Sequence, residues 1–315
     1  MYKKGDMEMG EEIDKKTAEI FAASDEIWGC AETAFTEEKS MKILCDVLKA
    51  EGFEVETGLA GVKTAFKGTF GSGKPVIGIL GEFDALSGLD QEAGATEKIV
   101  VHDGASGHGC GHNLLGAGAM AAALAVKAYL EEHPEAGSVV LFGCPSEEKG
   151  DGKAIMAREG IFDGVDAAFT WHPGDKNEIW SESTLANVSV FFNFKGVTSH
   201  AAAAPELGRS ALDAAELMSV GVNYLREHII SDARIHYAYR DVGGIAPNVV
   251  QGHSRVHYFI RAPKSWQVKE IYKRVVDVAE GAAKMTGTEM TYELYAGLSD
   301  YIPNHVLSEV LHESM

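Results

Sequence analysis

The sequence predicts a mixed α/β domain followed by a smaller α+β domain of ferredoxin-like order. Three observations carry this. Val76 to Leu80, Ser138 to Cys144 and Asp166 to His172 are short apolar runs that alternate with helical patterns, as the buried strands of an α/β sheet do. From Leu185 the rhythm changes to strand, helix, strand, strand, helix, strand. Between these regimes, Gly81 to Gly111 is a Gly-rich irregular stretch too long for an ordinary connection, and such loops usually carry function.

Each element follows from spacing. Glu11 to Ala31 carries Ile13, Ala18, Phe21 and Ala22 at helical intervals. Phe35 to Ala50 repeats the pattern with Met41, Leu44, Cys45 and Leu48, and Gly52 closes it. Val62 to Phe70 and Val76 to Leu80 read as strands around the turn Gly71-Ser72-Gly73-Lys74. Asn113 to Glu132 is an Ala-rich helix, with Asn113 or a neighbour as its cap. The strand Ser138 to Cys144, a short helix Ala154 to Arg158 and the strand Asp166 to His172 complete the first half. In the second half, Leu185 to Lys195 is a strand and Ser210 to Ile229 a helix. Ile235 to Arg240 and Val249 to Ile260 are strands. Trp266 to Met285 is a helix whose Val268, Ile271, Val275, Ala279 and Ala283 share a face, and Glu289 to Tyr295 is a last strand. Boundaries near Ser181–Ser183 and Gly297 divide the chain into 1–182, 183–297 and a final piece, 298–315, built on a helix from Asn304.

Composition narrows the function. The 315 residues hold 28 Lys+Arg against 47 Asp+Glu, a net charge of −19, which disfavours a nucleic-acid binder. No apolar run approaches the roughly 20 residues of a membrane span. Met1 to Lys16 lacks the apolar core of a secretory signal, and four cysteines do not make a disulfide scaffold. The expectation is a cytoplasmic protein acting on small molecules, without a nucleic-acid or membrane partner.

Three clusters could carry chemistry. Gly107-His108-Gly109-Cys110-Gly111-His112-Asn113 concentrates thiol and imidazole groups, a donor set suited to zinc, manganese or a similar divalent ion. Cys144-Pro145-Ser146-Glu147-Glu148 puts two carboxylates just past a strand, where one can bind metal while its neighbour takes a proton from water. Thr170-Trp171-His172-Pro173 puts a histidine at the end of another strand. Singly, each has a plain alternative: a Gly-rich turn over a buried thiol, a solvated acidic loop, a core histidine. Together they fall at the carboxyl ends of parallel strands, or in the long loop following one, where open α/β sheets bind ligands, and they have the ligand count and base of a metallohydrolase.

With Gly81-Glu82-Phe83-Asp84-Ala85-Leu86 and Gly196-Val197-Thr198-Ser199-His200-Ala201, these motifs resemble the aminoacylase/glutamate carboxypeptidase superfamily of two-metal amidohydrolases. Within it, from about Asp14 onward, the likeness is to the branch that holds the B-type chain of p-aminobenzoyl-glutamate hydrolases. The resemblance implies a phosphorylase/hydrolase-like catalytic domain with an inserted ferredoxin-like lid and dimerisation domain. It implies two divalent ions, zinc or manganese, with cobalt as a further option. Cys110 would bridge them, His112, Glu148 and His172 would be further ligands, and Glu147 would be the general base. Asp84 would orient a ligand histidine. From the lid, His200 would stabilise the oxyanion, and Asn248 and Arg261 would bind the substrate's free carboxylate. Asn113 stands where many relatives carry Asp, which bears on hydrogen bonding around the ligands.

The implied activity is hydrolysis of an N-acyl or N-aroyl amino acid, such as p-aminobenzoyl-glutamate, or of a dipeptide. The implied assembly is a homodimer through the lid, or a hetero-oligomer with a related subunit. The alternative is a non-catalytic metal-binding or assembly subunit; a redox role for Cys110 and Cys144 is weak, because there is no CxxC. Relatives return to the catalytic domain after the lid and supply a final ligand histidine there. No histidine after His200 has a matching context, so a C-terminally truncated chain of low activity is expected.

Overall fold

A computed structural model describes residues 4–149 and 152–315, with side chains from residue 10 onward. Met1 to Lys3 of the segment read as lacking a signal therefore lie outside the described residues. Contacts divide the chain into two compact units, Met1–Lys176 and Asn177–Met315.

The first unit is built on a five-stranded sheet of order β1-β2-β4-β3-β5. Its strands are β1 (Glu54–Thr57), β2 (Phe66–Gly71), β3 (Val76–Glu82), β4 (Ser138–Cys144) and β5 (Ala167–Phe169). β3 is parallel to both β4 and β5, while β1 and β2 run antiparallel at the other edge. Every residue of the central β4 is buried. Its odd-numbered Val139 and Leu141 face α1 (Lys4–Cys30), α2 (Glu38–Ala50) and α3 (His112–Glu132), in a core with Leu44, Leu48, Phe66 and Met120. Its even-numbered Val140, Phe142 and Cys144 face Met156 of α4 (Gly152–Arg158). This two-faced burial is why the strand reads as a continuous apolar run.

Several boundaries differ from the sequence reading. The expected strand from Val62 begins only at Phe66, because residues 62–65 form a turn closed by Ala65 N donating to Val62 O at 3.1 Å. β1 is additional: it is an exposed edge strand, Glu54-Val55-Glu56-Thr57, with too little apolar alternation to read. α1 begins at Lys4, seven residues earlier than its apolar spacing indicates, and this added stretch runs through two glycines, Gly5 and Gly10. β5 covers only Ala167–Phe169 of the expected run. α3, by length and composition alone, is apolar enough to cross a membrane, contrary to the sequence reading; most of it is buried, packed on α1 and β3.

The second unit is a four-stranded antiparallel sheet of order β7-β8-β6-β9. It comprises β6 (Ala186–Lys195), β7 (Arg234–Asp241), β8 (His253–Ala262) and β9 (Glu289–Leu298), with α5 (Ala211–Leu225) and α6 (Ser265–Thr286) packed on one face. This is the ferredoxin-like arrangement. Strict alternation along β8 buries Val256, Tyr258 and Ile260 beneath the helices and turns Arg255, His257, Phe259 and Arg261 to the other face. α7 (His305–Ser314) follows, capped by Asn304, whose side chain accepts from Leu307 N at 3.1 Å.

Gly143 tests the packing of the first unit. A β-carbon there would lie 1.9 Å from the ring of Phe66, which is fully buried and packed against Phe83 at 5.8 Å. Gly143→Ala should cost about 1–3 kcal/mol through overpacking and lower the thermal midpoint of unfolding. An unchanged midpoint would show that the Phe66 ring yields freely.

Candidate metal centre

The parallel strands converge the chemistry on one edge. Register sets Glu82, the last residue of β3, opposite Cys144, the last of β4. Just past this edge lie Asp84 after β3, Glu147 and Glu148 after β4, and His172 after β5. Cys110 and His112 enter from the long loop where α3 begins. Gly111 between them is left-handed (φ 76°) and caps the helix, and a β-carbon on it would lie 2.8 Å from the Pro173 ring. Only glycine makes this turn without strain. Asn113 is not the cap; it sits inside the helix, and its amide donates to Ser24 Oγ of α1 at 3.0 Å.

The Asp84 carboxylate joins three segments. Its Oδ1 lies 3.1 Å from His112 Nδ1, and its Oδ2 accepts from Glu148 N at 3.0 Å. The Asp84 carbonyl is also 3.1 Å from His112 Nδ1. With Nδ1 donating, Nε2 of the neutral ring is left as a lone pair aimed into the centre. Burial opposes protonation of His112, but the Asp84 hydrogen bond and the Glu82, Asp84 and Glu148 charges outweigh it and raise its pKa.

Around that lone pair, Glu82 Oε2 is 3.2 Å away, while Glu147 Oε2 and Glu148 Oε1 are each 3.9 Å away. Cys110 Sγ is 3.3 Å from His172 Nε2, and the His112 and His172 rings meet edge-on with centroids 5.6 Å apart. Burial pushes the Cys110 thiol up to about 12, and the Glu148 and Glu147 carboxylates add to the rise. Burial likewise raises the Glu147 pKa, helped by the Glu82 charge.

The donor set fits a divalent cation. Glu82 Oε2, His112 Nε2 and Glu148 Oε1 are buried without a hydrogen-bond partner among the described residues. Buried polar atoms are rarely left so. Cys110, His112 and His172 form one group of potential ligands, and Glu82, His112 and Glu147 a second. A cation would satisfy the lone pairs and hold the thiol as thiolate. Beside Cys110 opens a cavity of about 670 Å³ whose lining includes Trp28, His108, Leu114 and Pro173.

One histidine of the Gly-rich cluster does not join the centre. His108 turns away: its Nε2 is 3.1 Å from the Ile27 carbonyl, its ring stacks on Trp28, and burial lowers its pKa to about 4. His200, Asn248 and Arg261 belong to the second unit. Backbone bonds bring His200 and Asn248 together: Ala201 N donates to Asn248 O at 2.9 Å, and Val250 N to Ser199 O at 2.9 Å. Arg261 is not with them. It lies near the far end of β8, eight residues past His253, roughly 27 Å along an extended strand.

Three residues escape the sequence reading. Glu82 and its ion-pair partner Lys153 are one pair. Burial works against the Lys153 charge, but Glu82 outweighs it and raises the pKa. The third is Glu37, wholly buried at the start of α2. Its Oε1 accepts from Phe35 N and Ser146 N, each at 2.9 Å, and its Oε2 accepts from Thr64 Oγ1 at 3.0 Å. Ser146 is left-handed (φ 59°) and directly precedes Glu147, so Glu37 holds the strained turn that aims the two carboxylates. Glu82 was legible as an acid at a strand end. Glu37 had no local signal, because Ser146 is 109 residues away.

Glu37→Gln keeps an acceptor for both N–H groups, whereas Glu37→Ala orphans them at about 1–3 kcal/mol per buried group. Burial raises the Glu37 pKa, so the folded protein binds this proton more tightly than the unfolded chain. Stability from this group is therefore full below the unfolded pKa and falls as pH rises through the folded one. Glu37→Gln lacks that fall. In urea unfolding, the wild type should lose ground against Glu37→Gln as pH rises from the ordinary glutamate range; a constant difference would contradict the buried ionisation.

The chain's similarities agree with this geometry. The model of peptidase family M20/M25/M40 matches residues 78–300. The B chain of p-aminobenzoyl-glutamate hydrolase from Escherichia coli strain K12 is 49% identical over 292 residues, which are 93% of this chain and 61% of that protein. The chain thus spans about three fifths of that relative's length. An aminobenzoyl-glutamate utilization protein from Klebsiella pneumoniae superposes with a TM-score of 0.75 at 18% identity, over 97% of this chain and 82% of that one. A dinuclear metal-binding peptidase of the M20 family from Bacillus subtilis superposes with a TM-score of 0.63 at 18% identity, over 94% and 79%. At such identities, the structural likenesses speak for the fold alone. The match over most of the chain, on an α/β unit and a ferredoxin-like unit, establishes that the chain belongs to peptidase family M20/M25/M40.

Proposed function

We propose that this chain carries the metal centre and general base of a metal-dependent amidohydrolase that cleaves an N-acyl or N-aroyl amino acid, of the p-aminobenzoyl-glutamate type, or a dipeptide. The observation that carries the reading is the convergence of three buried, unsatisfied donor atoms, those of Glu82, His112 and Glu148, beside Cys110, His172 and Glu147. The identity to one component of an aminobenzoyl-glutamate hydrolase supports the substrate class.

Cys110, His112, Glu148 and His172 would hold two divalent ions, which when bound lower the pKa of water and polarise the amide carbonyl. Glu147 takes the proton of the attacking water on Oε2. It returns that proton to the amide nitrogen as the carbon–nitrogen bond breaks, so the amine leaves neutral. Its burial makes it a stronger base than an exposed glutamate. Asp84 keeps the His112 lone pair directed inward. The cavity beside Cys110, with Trp28 in its wall, has room for an aromatic acyl group.

His200 suits an oxyanion: its Nδ1 accepts from Ala202 N at 3.2 Å and Ala203 N at 3.1 Å, so the neutral ring carries its proton on Nε2. Arg261 suits the free carboxylate because its planar fork can bond it twice. His200 and Asn248 lie at one end of the ferredoxin-like sheet and Arg261 near the other. One substrate met by all three would draw them from two copies, which favours a dimer through this unit. The Escherichia coli relative is by name one component of a multi-chain hydrolase, which favours a second reading, in which the partner is a related chain.

In the protein that carries this chain, Glu147→Gln should lower hydrolysis of p-aminobenzoyl-glutamate about 10²- to 10⁴-fold, with metal content unchanged by elemental analysis. A panel of N-acetyl amino acids and dipeptides, each with zinc, manganese and cobalt, defines the acyl group and the metal. Full turnover by Glu147→Gln with metal bound would remove Glu147 as the base.

A further inference from the structure

We infer that Glu82 is an additional metal ligand, binding through Oε2 alone and held in that mode by Lys153. The inference rests on the metallohydrolase reading and goes beyond its ligand set of Cys110, His112, Glu148 and His172.

The geometry around Glu82 has no other evident purpose. Glu82 is only 7% exposed, and a carboxylate so buried needs partners for both oxygens. Lys153 satisfies Oε1 through a close ion pair. Oε2 has no hydrogen-bond partner among the described residues, and neither has His112 Nε2, although the two atoms are 3.2 Å apart. They are close but not aligned as donor and acceptor. His112 also spends its Nδ1 proton on Asp84, so in the neutral ring Nε2 offers a lone pair, not a proton. Two buried polar atoms this close, with no hydrogen bond joining them, are what a shared cation would satisfy. A separation of 3.2 Å is also that of adjacent ligands on one ion, given bonds of about 2.0–2.2 Å and bond angles between about 90° and 109°. Glu147 Oε2 and Glu148 Oε1, both 3.9 Å from His112 Nε2, border the same space.

The donors sort by chemistry. Cys110 and His172 offer sulfur and nitrogen, whereas Glu82, Glu148 and His112 offer two carboxylate oxygens and one nitrogen. Thiolate and imidazole favour zinc, and carboxylates favour manganese. Glu82 thus makes the His112 side of the centre the harder one, and its removal falls mainly on manganese.

The test is Mn(II) binding by the 315-residue chain, read by electron paramagnetic resonance and calorimetry, without reference to turnover. Glu82→Gln is nearly isosteric, but its amide is a weaker metal ligand than a carboxylate, and its carbonyl oxygen still accepts from Lys153. It should bind Mn(II) at least tenfold more weakly than the wild type, while the circular dichroism of the metal-free proteins agrees. Equal affinity for Mn(II) in both would overturn the inference and leave the metallohydrolase reading standing. A wild-type chain that binds neither Mn(II) nor Zn(II) would overturn both. If Glu82→Gln does not fold, crystals of the wild type soaked in Mn(II) decide. An ion about 2.1 Å from both Glu82 Oε2 and His112 Nε2 supports the assignment, and one bound to His112 but beyond about 3 Å from Glu82 overturns it.

Discussion

The first unit is organised around one buried carboxylate. Asp84 is fully shielded from water, and it meets the cost of that burial by bonding the His112 ring and the Glu148 backbone N–H. The first bond ties the end of β3 to the start of α3. The second ties it to the loop after β4. Without Asp84 the histidine has no fixed tautomer and the Glu147–Glu148 loop no anchor. The ligand atoms would then lose the common focus that makes them a centre.

A second carboxylate performs the same service one layer out. Glu37 holds Ser146 in a left-handed conformation, and that turn reverses the chain just before Glu147. An acid at the N-terminal end of a helix commonly accepts from that helix's own N–H groups. Glu37 instead accepts from Phe35 and Ser146, so the start of α2 serves as a bracket for the loop that carries Glu147 and Glu148. Asp84 below and Glu37 behind leave the Glu147–Glu148 pair little backbone freedom. This pre-organisation is what proton transfer and ion binding both require.

The second unit separates its polar groups just as deliberately. The ladder joining residues 196–201 to 248–252 gathers His200 and Asn248 at one end of the sheet. β8 then carries Arg261 to the other end, on the face away from α5 and α6, where its guanidinium lies over Phe259 at 5.3 Å. Groups that a sequence motif would assign to one substrate are thus about one strand length apart.

Much of this was legible in the chain itself. β4 declared itself through an unbroken apolar run, α6 through its one-sided stripe, and the β-α-β-β-α-β order of the second unit through its alternation of periods. Glu147, Glu148 and His172 could be picked out because each lies just past the end of a recognisable strand, and sheet topology sends those ends to one edge; Cys110 and His112 stood out in the long loop leading into a recognisable helix. The boundaries around Gly58 to Phe66, and the exposed edge strand β1, could not be read, since edge strands bury too little to impose a pattern. Local spacing also misplaced Asn113 as a cap and could not show that His108 turns toward α1. Nor could it join Glu37 to Ser146, or Glu82 to Lys153 and His112, because these contacts cross 30 to 109 residues. The sequence alone determined the elements and the donors, because backbone periodicity and side-chain chemistry are local properties. Only the tertiary structure decided which donors share a lone-pair focus, because that depends on strand register and on the buried carboxylates that hold the loops in place.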